Sequence, residues 1–163
     1  MRYHILSGRI EKASAKSLLE FIEENEGNLT IAIDSTGGEK TFATLINYAL
    51  LKNEDRITLI ALNIGSCAFD IFWEFSGEKC LAFGCIGMMH HSARDVSIQS
   101  NGKPSYDEGE CHLKNLKTYR ELELKIAQDI CTKPELRRFK ENRDVYFTFG
   151  RMLEIFKDAE VIY

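Results

Sequence analysis

The sequence predicts an α/β domain with mostly parallel strand pairing. Three observations predict it. Apolar, β-branched runs alternate with segments whose apolar residues recur at helical spacing, the connections between them are short, and the pattern holds from the N-terminus to about residue 89. At 163 residues, with 44% hydrophobic and 28% charged side chains, the chain is long enough to bury a core without a disulfide or metal staple.

Residues 2–6 are a short apolar-leaning run that stops at Ser7-Gly8 and reads as the first strand. Ala15, Leu18, Leu19 and Ile22 then mark an amphipathic helix ending near residues 25–27, where Gly27 suits a left-handed stop. Residues 29–33 are a β-branched run, predicted as a buried strand. It ends in Asp34-Ser35-Thr36-Gly37-Gly38, a turn with two glycines. A second helix places Phe42, Leu45, Ile46 and Ala49 on one face. Residues 57–62 form another strand, 63–66 a short connection, and 68–75 a largely apolar helix ended by Gly77. Residues 79–83 and 86–89 read as two short strands separated by Gly84.

Beyond residue 92 the character changes. Residues 92–110 are polar, with a turn signal at Asn101-Gly102 inside a weak alternation (Val96, Ile98), and predict a protruding hairpin or loop. Leu113, Leu116, Leu122, Ile126 and Ile130 then mark a long amphipathic helix. Pro134 opens a short further helix, residues 144–149 are strand-like or extended, 152–156 a last helical turn, and 161–163 close the chain.

Composition excludes several classes of function. Twenty-one basic against twenty-five acidic side chains leave a formal charge of −4, which disfavours binding to nucleic acid or to an anionic membrane. No apolar run approaches the roughly twenty residues of a membrane span, and nothing at the start reads as a secretion signal, so a cytoplasmic location is expected. The five cysteines (Cys67, Cys80, Cys85, Cys111, Cys131) are odd in number and form no CxxC pair. They read as reduced thiols rather than as a zinc site. Neither GxxxxGK[ST] nor GxGxxG occurs, and no metal or cofactor is expected.

Three places suit chemistry. Cys67 lies between a strand end and the first turn of a helix, where the macrodipole lowers a thiol pKa. A small buried hydrophobe is the competing role for such a residue. His90-His91 follows a strand, which suits acid–base work, and on an extended chain at most one of the two faces a given site. Two surface histidines would look the same. Gly37-Gly38 follows a strand too, and glycines there can turn N–H groups toward a substrate oxygen or simply make a turn.

Four motifs in order resemble the proteolytic subunit of the Clp protease, within the ClpP/crotonase superfamily. Ile5-Leu6-Ser7-Gly8-Arg9-Ile10 is similar to that family's opening strand and turn, and Ile33-Asp34-Ser35-Thr36-Gly37-Gly38 to its I-N-S-P-G-G. Met88-Met89-His90 resembles the M-I-H that carries its catalytic histidine. Arg143-Asp144-Val145-Tyr146-Phe147 resembles the R-D-x-F/Y that carries its aspartate. The resemblance covers nearly the whole chain, from residue 5 to about 162. It implies a ββα superhelix in one domain, 1–163, with a hairpin and long helix at 92–131 as the handle. It further implies a homo-oligomeric ring, a peptide or unfolded-protein substrate, and an AAA+ ATPase as a possible partner. Met1 begins almost at the first strand, so a conventional axial gate and docking of the usual ATPase partner are not expected.

The nucleophile is where the sequence departs from the family's G-x-A-S-x-[GA]. The segment here is Asn63-Ile64-Gly65-Ser66-Cys67-Ala68-Phe69-Asp70. Counting back from His90 without gaps puts Cys67 at the serine position; Ser66 is one residue off, and an alignment anchored on Gly65 puts Phe69 there. The resemblance then implies a Cys67–His90–Asp144 triad, with Ser66 as the alternative nucleophile. His90 would be base then acid, Asp144 its orienting partner, and the N–H groups of Gly38 and Ala68 the oxyanion donors. The competing function is a catalytically inactive assembly or regulatory subunit, which the Phe69 alignment would favour. A crotonase-type acyl-CoA enzyme is disfavoured by the short chain and by Glu39, its nearest acid–base candidate, falling at a helix start.

Overall fold

The computed structural model describes residues 2–91 and 106–163, and side chains within those ranges except at 106–117. The hairpin expected at 92–105, with Val96, Ile98 and Asn101-Gly102, lies outside the described residues, as do the side chains of Cys111, His112, Leu113 and Leu116.

The described residues form an α/β fold with a six-stranded sheet and six α-helices. In chain order these are β1 (Arg2–Ile10), α1 (Lys12–Glu24), β2 (Leu29–Gly38), α2 (Lys40–Lys52), β3 (Ile57–Gly65), α3 (Cys67–Glu74) and β4 (Glu78–Met89). Then come α4 (Tyr106–Ile130), α5 (Lys133–Lys140), β5 (Val145–Phe147), α6 (Phe149–Ile155) and β6 (Glu160–Ile162). The residues group into two compact units, Met1–Met89 with Tyr146–Tyr163, and His90–Val145.

In the first unit β1, β2, β3 and β4 are parallel neighbours in chain order, each joined to the next through one helix. β6 pairs with β4 in parallel from Cys80↔Glu160 to Ala82↔Ile162. The helices dock through short apolar stripes. α1 buries Ala15, Leu18 and Ile22, and its start is held by a reciprocal capping box between Glu11 and Ser14. α2 buries Ala43, Ile46 and Leu50, a face rotated from the expected one, and leaves Leu45 48% exposed. The segment KTFATLINYALLK has apolar residues on most sides, so spacing alone left the choice of face open. Beneath these helices Leu29, Ile31, Ala32 and Ile33 of β2 are almost wholly buried, as are Leu59 and Ala61 of β3. Full burial of each Leu or Ile contributes about 1.5–3 kcal/mol.

The three pairs among β1, β2, β3 and β4 change register partway. β1–β2 pairing jumps from Ser7↔Asp34 to Arg9↔Gly37, so β2 holds one extra residue. β2–β3 jumps from Ile33↔Ala61 to Asp34↔Asn63, one extra in β3. β3–β4 jumps from Ala61↔Leu81 to Asn63↔Ile86, three extra in β4. The two short strands expected at 79–83 and 86–89 are therefore one strand of 12 residues interrupted by this irregularity. Gly84 sits within it at φ +82°, a conformation that favours glycine, which is why the break looked like a loop in the sequence. Beyond these irregularities the ends of β2, β3 and β4 carry Gly37-Gly38, Gly65-Ser66 and Met88-Met89.

In the second unit α4 begins at Tyr106, so residues 106–110, expected in the hairpin or loop, are helical. α5 starts as the sequence predicts, with Pro134 in its first turn and a capping box in which the Thr132 N–H donates to Glu135 Oε2 at 2.7 Å. The chain leaves α5 through Asn142 at φ +58°, and the Arg143 N–H donates back to the Arg138 carbonyl at 3.0 Å. This turn delivers Asp144.

Candidate functional site

Ser66 stands at the strand-to-helix corner between β3 and α3. Its φ of 53° and ψ of −128° lie in a region that non-glycine residues rarely enter, at a cost of about 1–3 kcal/mol. Three hydrogen bonds impose it. The Ser66 N–H donates to the Met88 carbonyl at 2.9 Å, tying the corner to the end of β4. The Ser66 carbonyl accepts the Phe69 and Asp70 N–H groups at 2.9 and 3.2 Å, starting the helix. A strained serine on a sharp strand–turn–helix corner is the arrangement that presents a nucleophilic hydroxyl in many hydrolases.

The end of β2 presses against this corner. A Cβ on Gly37 (φ +95°) would lie 2.6 Å from Ser66 Cβ and 2.7 Å from the Gly65 carbonyl oxygen. A Cβ on Gly38 would lie 2.1 Å from the Ile10 carbonyl oxygen. Both glycines thus permit a close backbone approach that no side chain allows. Ser35 braces them: its hydroxyl donates to the Gly8 carbonyl at 2.6 Å and accepts the Gly37 N–H at 3.1 Å.

Cys67 is the first residue of α3 and is only 1% exposed. Its Sγ accepts the Gly38 N–H at 3.1 Å. The sequence led us to expect a depressed thiol pKa, and the structure corrects this. Burial pushes the thiol from 9.0 up to about 11; Lys40 and the Gly38 N–H pull it down, Asp70 pushes it up, and burial outweighs the rest. The helix terminus does not compensate for lost water. Lys40, which pairs with Asp70 across α2 and α3, is itself largely buried beside this first turn. Ala68 is fully buried in the same turn. Phe69 does not stand at the corner; it is fully buried, its ring 5.4 Å from that of Phe147 and 5.8 Å from that of Phe156. The Gly65-anchored alternative, which placed Phe69 at the nucleophile position, therefore finds no support in the packing.

The second unit holds the other predicted residues. His90 Nδ1 lies 3.5 Å from Asp144 Oδ1, with the two side chains 32% and 47% exposed. That separation is long for a hydrogen bond, and catalytic contacts of this kind are commonly loose before substrate binds. The Asp144 carbonyl accepts from the Arg138 guanidinium at 3.3 Å, which fixes its backbone.

Next to His90 is a pair that sequence reasoning missed. His91 rests on Phe139, ring centroids 4.1 Å apart, and its Nδ1 lies 3.9 Å from Oε2 of Glu123. Glu123 is only 3% exposed. Burial lowers the His91 pKa below 6.5, with Arg120 and His90 acting the same way and Glu123 opposing them. The signal was present in the sequence: Glu123 sits three and four residues before the buried Ile126 and Ala127, on the stripe of α4 that faces inward.

Among the described residues no group of three or more His, Cys, Asp or Glu side chains is arranged to hold a metal ion. No described helix is long and apolar enough to cross a membrane. No family model matches the chain, and no curated protein matches it.

Proposed function

We propose that this chain is a ClpP-like peptidase that hydrolyses peptide bonds by acyl transfer, with Ser66 as nucleophile, His90 as general base and acid, and Asp144 as the residue that orients His90. The observation that carries this is the strained corner at Ser66, because backbone strain held by surrounding hydrogen bonds is found chiefly where function requires it. It moves the nucleophile from Cys67, whose thiol is buried and protonated at neutral pH, to the adjacent half-buried serine.

The pairing of Ser66 with His90 comes from the family resemblance, in which Met88-Met89-His90 matches the M-I-H that carries the catalytic histidine. His90 takes the Ser66 hydroxyl proton as the Oγ–carbon bond forms at the scissile carbonyl. The oxyanion is bound by N–H groups at the corner: that of Cys67, the residue after the nucleophile, and that of Gly38. The carbon–nitrogen bond then breaks, and His90 returns its proton to the leaving amine. Water repeats the sequence and releases the acid. Asp144 holds the His90 Nδ1–H and stabilises the imidazolium.

Assembly into a homo-oligomer is part of the same reading. Leu45, Tyr48, Phe83 and Ile86 are 48%, 69%, 66% and 48% exposed, which supports this part of the reading. The alternative is an inactive assembly subunit, and one observation favours it: Cys67 Sγ already occupies the Gly38 N–H. Hydrolysis of an unstructured fluorogenic peptide tests the choice. Activity that Ser66→Ala and His90→Ala abolish and Cys67→Ala retains supports a serine peptidase. Activity lost in Cys67→Ala but kept in Ser66→Ala returns the nucleophile to Cys67, and a stable oligomer without any activity supports the inactive subunit.

A further inference from the structure

We propose that Cys67 is a positioning residue whose thiol plugs the Gly38 oxyanion donor, so that the anion-binding pair at the Ser66 corner opens only when the sulfur gives way. The inference rests on the assignment of Ser66 as nucleophile.

The geometry is specific. The Gly38 N–H points at Cys67 Sγ, 3.1 Å away, and not at open solvent. The sulfur has little freedom to leave unprompted, because the side chain is 1% exposed on the first turn of α3. On the other side, Gly38 cannot retreat. Its α-carbon is packed so closely on Ile10 that an added Cβ would meet the Ile10 carbonyl at 2.1 Å, and the next N–H, that of Glu39, donates to the same carbonyl at 2.8 Å. The neighbouring Gly37 N–H cannot substitute, since Ser35 Oγ accepts it at 3.1 Å. Of this glycine pair, Gly37 donates to a hydroxyl that itself braces the turn through the Gly8 carbonyl, and Gly38 donates to the weaker sulfur acceptor.

Sulfur is a suitable plug. A neutral thioether or thiol is a weak acceptor, whereas an N–H···O⁻ bond is charge-assisted and about twice as strong as a neutral one. The raised pKa of the thiol keeps it neutral through the physiological range, so no thiolate holds the amide permanently. A developing oxyanion can thus take the donor from sulfur, while a ground-state carbonyl competes poorly. The plug lowers the basal rate and makes the donor available chiefly to a charged transition state.

Two readouts on one set of variants test this. The first is the rate at which Ser66 is phosphonylated by an alkyl fluorophosphonate, in which the Oγ–P bond forms and fluoride leaves. The second is hydrogen exchange at the Gly38 amide, followed by ¹H–¹⁵N NMR, which needs no activity. Cys67→Ala is expected to accelerate labelling by about three- to tenfold, within the ~100-fold or more that one oxyanion donor is worth, and to speed Gly38 exchange. Cys67→Ser, which puts a stronger acceptor near the same place, is expected to label more slowly than the parent. Loss of packing alone would slow both variants. Unchanged Gly38 exchange in Cys67→Ala, or labelling that falls in both variants, overturns the plug. Faster Gly38 exchange with no labelling of Ser66 in any variant supports the contact and overturns the hydrolase assignment instead, so the two failures are told apart.

Discussion

The Ser66 corner and the His90–Asp144 pair are built to different tolerances. At the corner the Ser66 backbone is bonded on both sides. Ser66 is hydrogen-bonded to Met88, Phe69 and Asp70, and Gly37 approaches too closely for a Cβ. His90 and Asp144, by contrast, are one-third to one-half exposed and 3.5 Å apart. The difference follows from where each is anchored. The corner joins the ends of parallel strands in a sheet, whereas Asp144 lies on the turn after α5, where its carbonyl accepts from the Arg138 guanidinium. The geometry of the Ser66 corner is thus a property of the sheet, and under the proposed mechanism the His90–Asp144 pair would tighten when substrate arrives.

The largest expected effect removes the tightly built half. Ser66→Ala should lower peptide hydrolysis by about a thousandfold or more, measured as kcat/KM, while leaving the circular dichroism spectrum unchanged. Asp144→Asn strikes the more exposed half and should cost less in kcat than Ser66→Ala, with the unfolding midpoint almost unmoved because the side chain is 47% exposed. An equal loss in the two variants would mean that the halves are not built to different tolerances. Gly37→Ala should destabilise the protein by about 3 kcal/mol in urea unfolding, from a strained φ of +95° and a 2.6 Å encounter with Ser66 Cβ.

The smallest effect is a pH dependence in the second unit. Burial holds the folded His91 pKa below its ordinary 6.5. The unfolded chain therefore binds a proton on His91 before the folded one does, and stability falls as pH drops from about 6.5 towards the lower folded value. His91→Phe keeps a ring against Phe139 and should flatten this decline in denaturant unfolding at pH 7 and 5.5.

Much of the first unit was legible in the sequence. Alternating β-branched runs and helical stripes located the starts of β1, β2 and β3 and the inward faces of α1 and α3, because burial on one face writes its period into the residues. The strands run three to five residues past the expected ends, so that residues 34–38, expected as a turn, belong to β2. What escaped was set by backbone geometry. Gly84 looked like a break between two strands, yet a three-residue irregularity keeps β4 continuous. At the site, Gly37-Gly38, His90 and Asp144 were identifiable as candidates, and His90 does lie beside Asp144 within its unit. The order of Ser66 and Cys67 was not legible. Counting residues back from His90 favoured Cys67, whereas the φ of 53° at Ser66 and the burial of Cys67 are what the proposal of Ser66 rests on. Spacing along a chain does not report a single left-handed residue.

The most direct test of this account is to map the adduct left by an alkyl fluorophosphonate, by mass spectrometry of the peptide that carries residues 66 and 67. The account predicts one adduct on Ser66, retained in Cys67→Ala and absent from Ser66→Ala. An adduct on Cys67, or labelling that survives Ser66→Ala and disappears with Cys67→Ala, would contradict it.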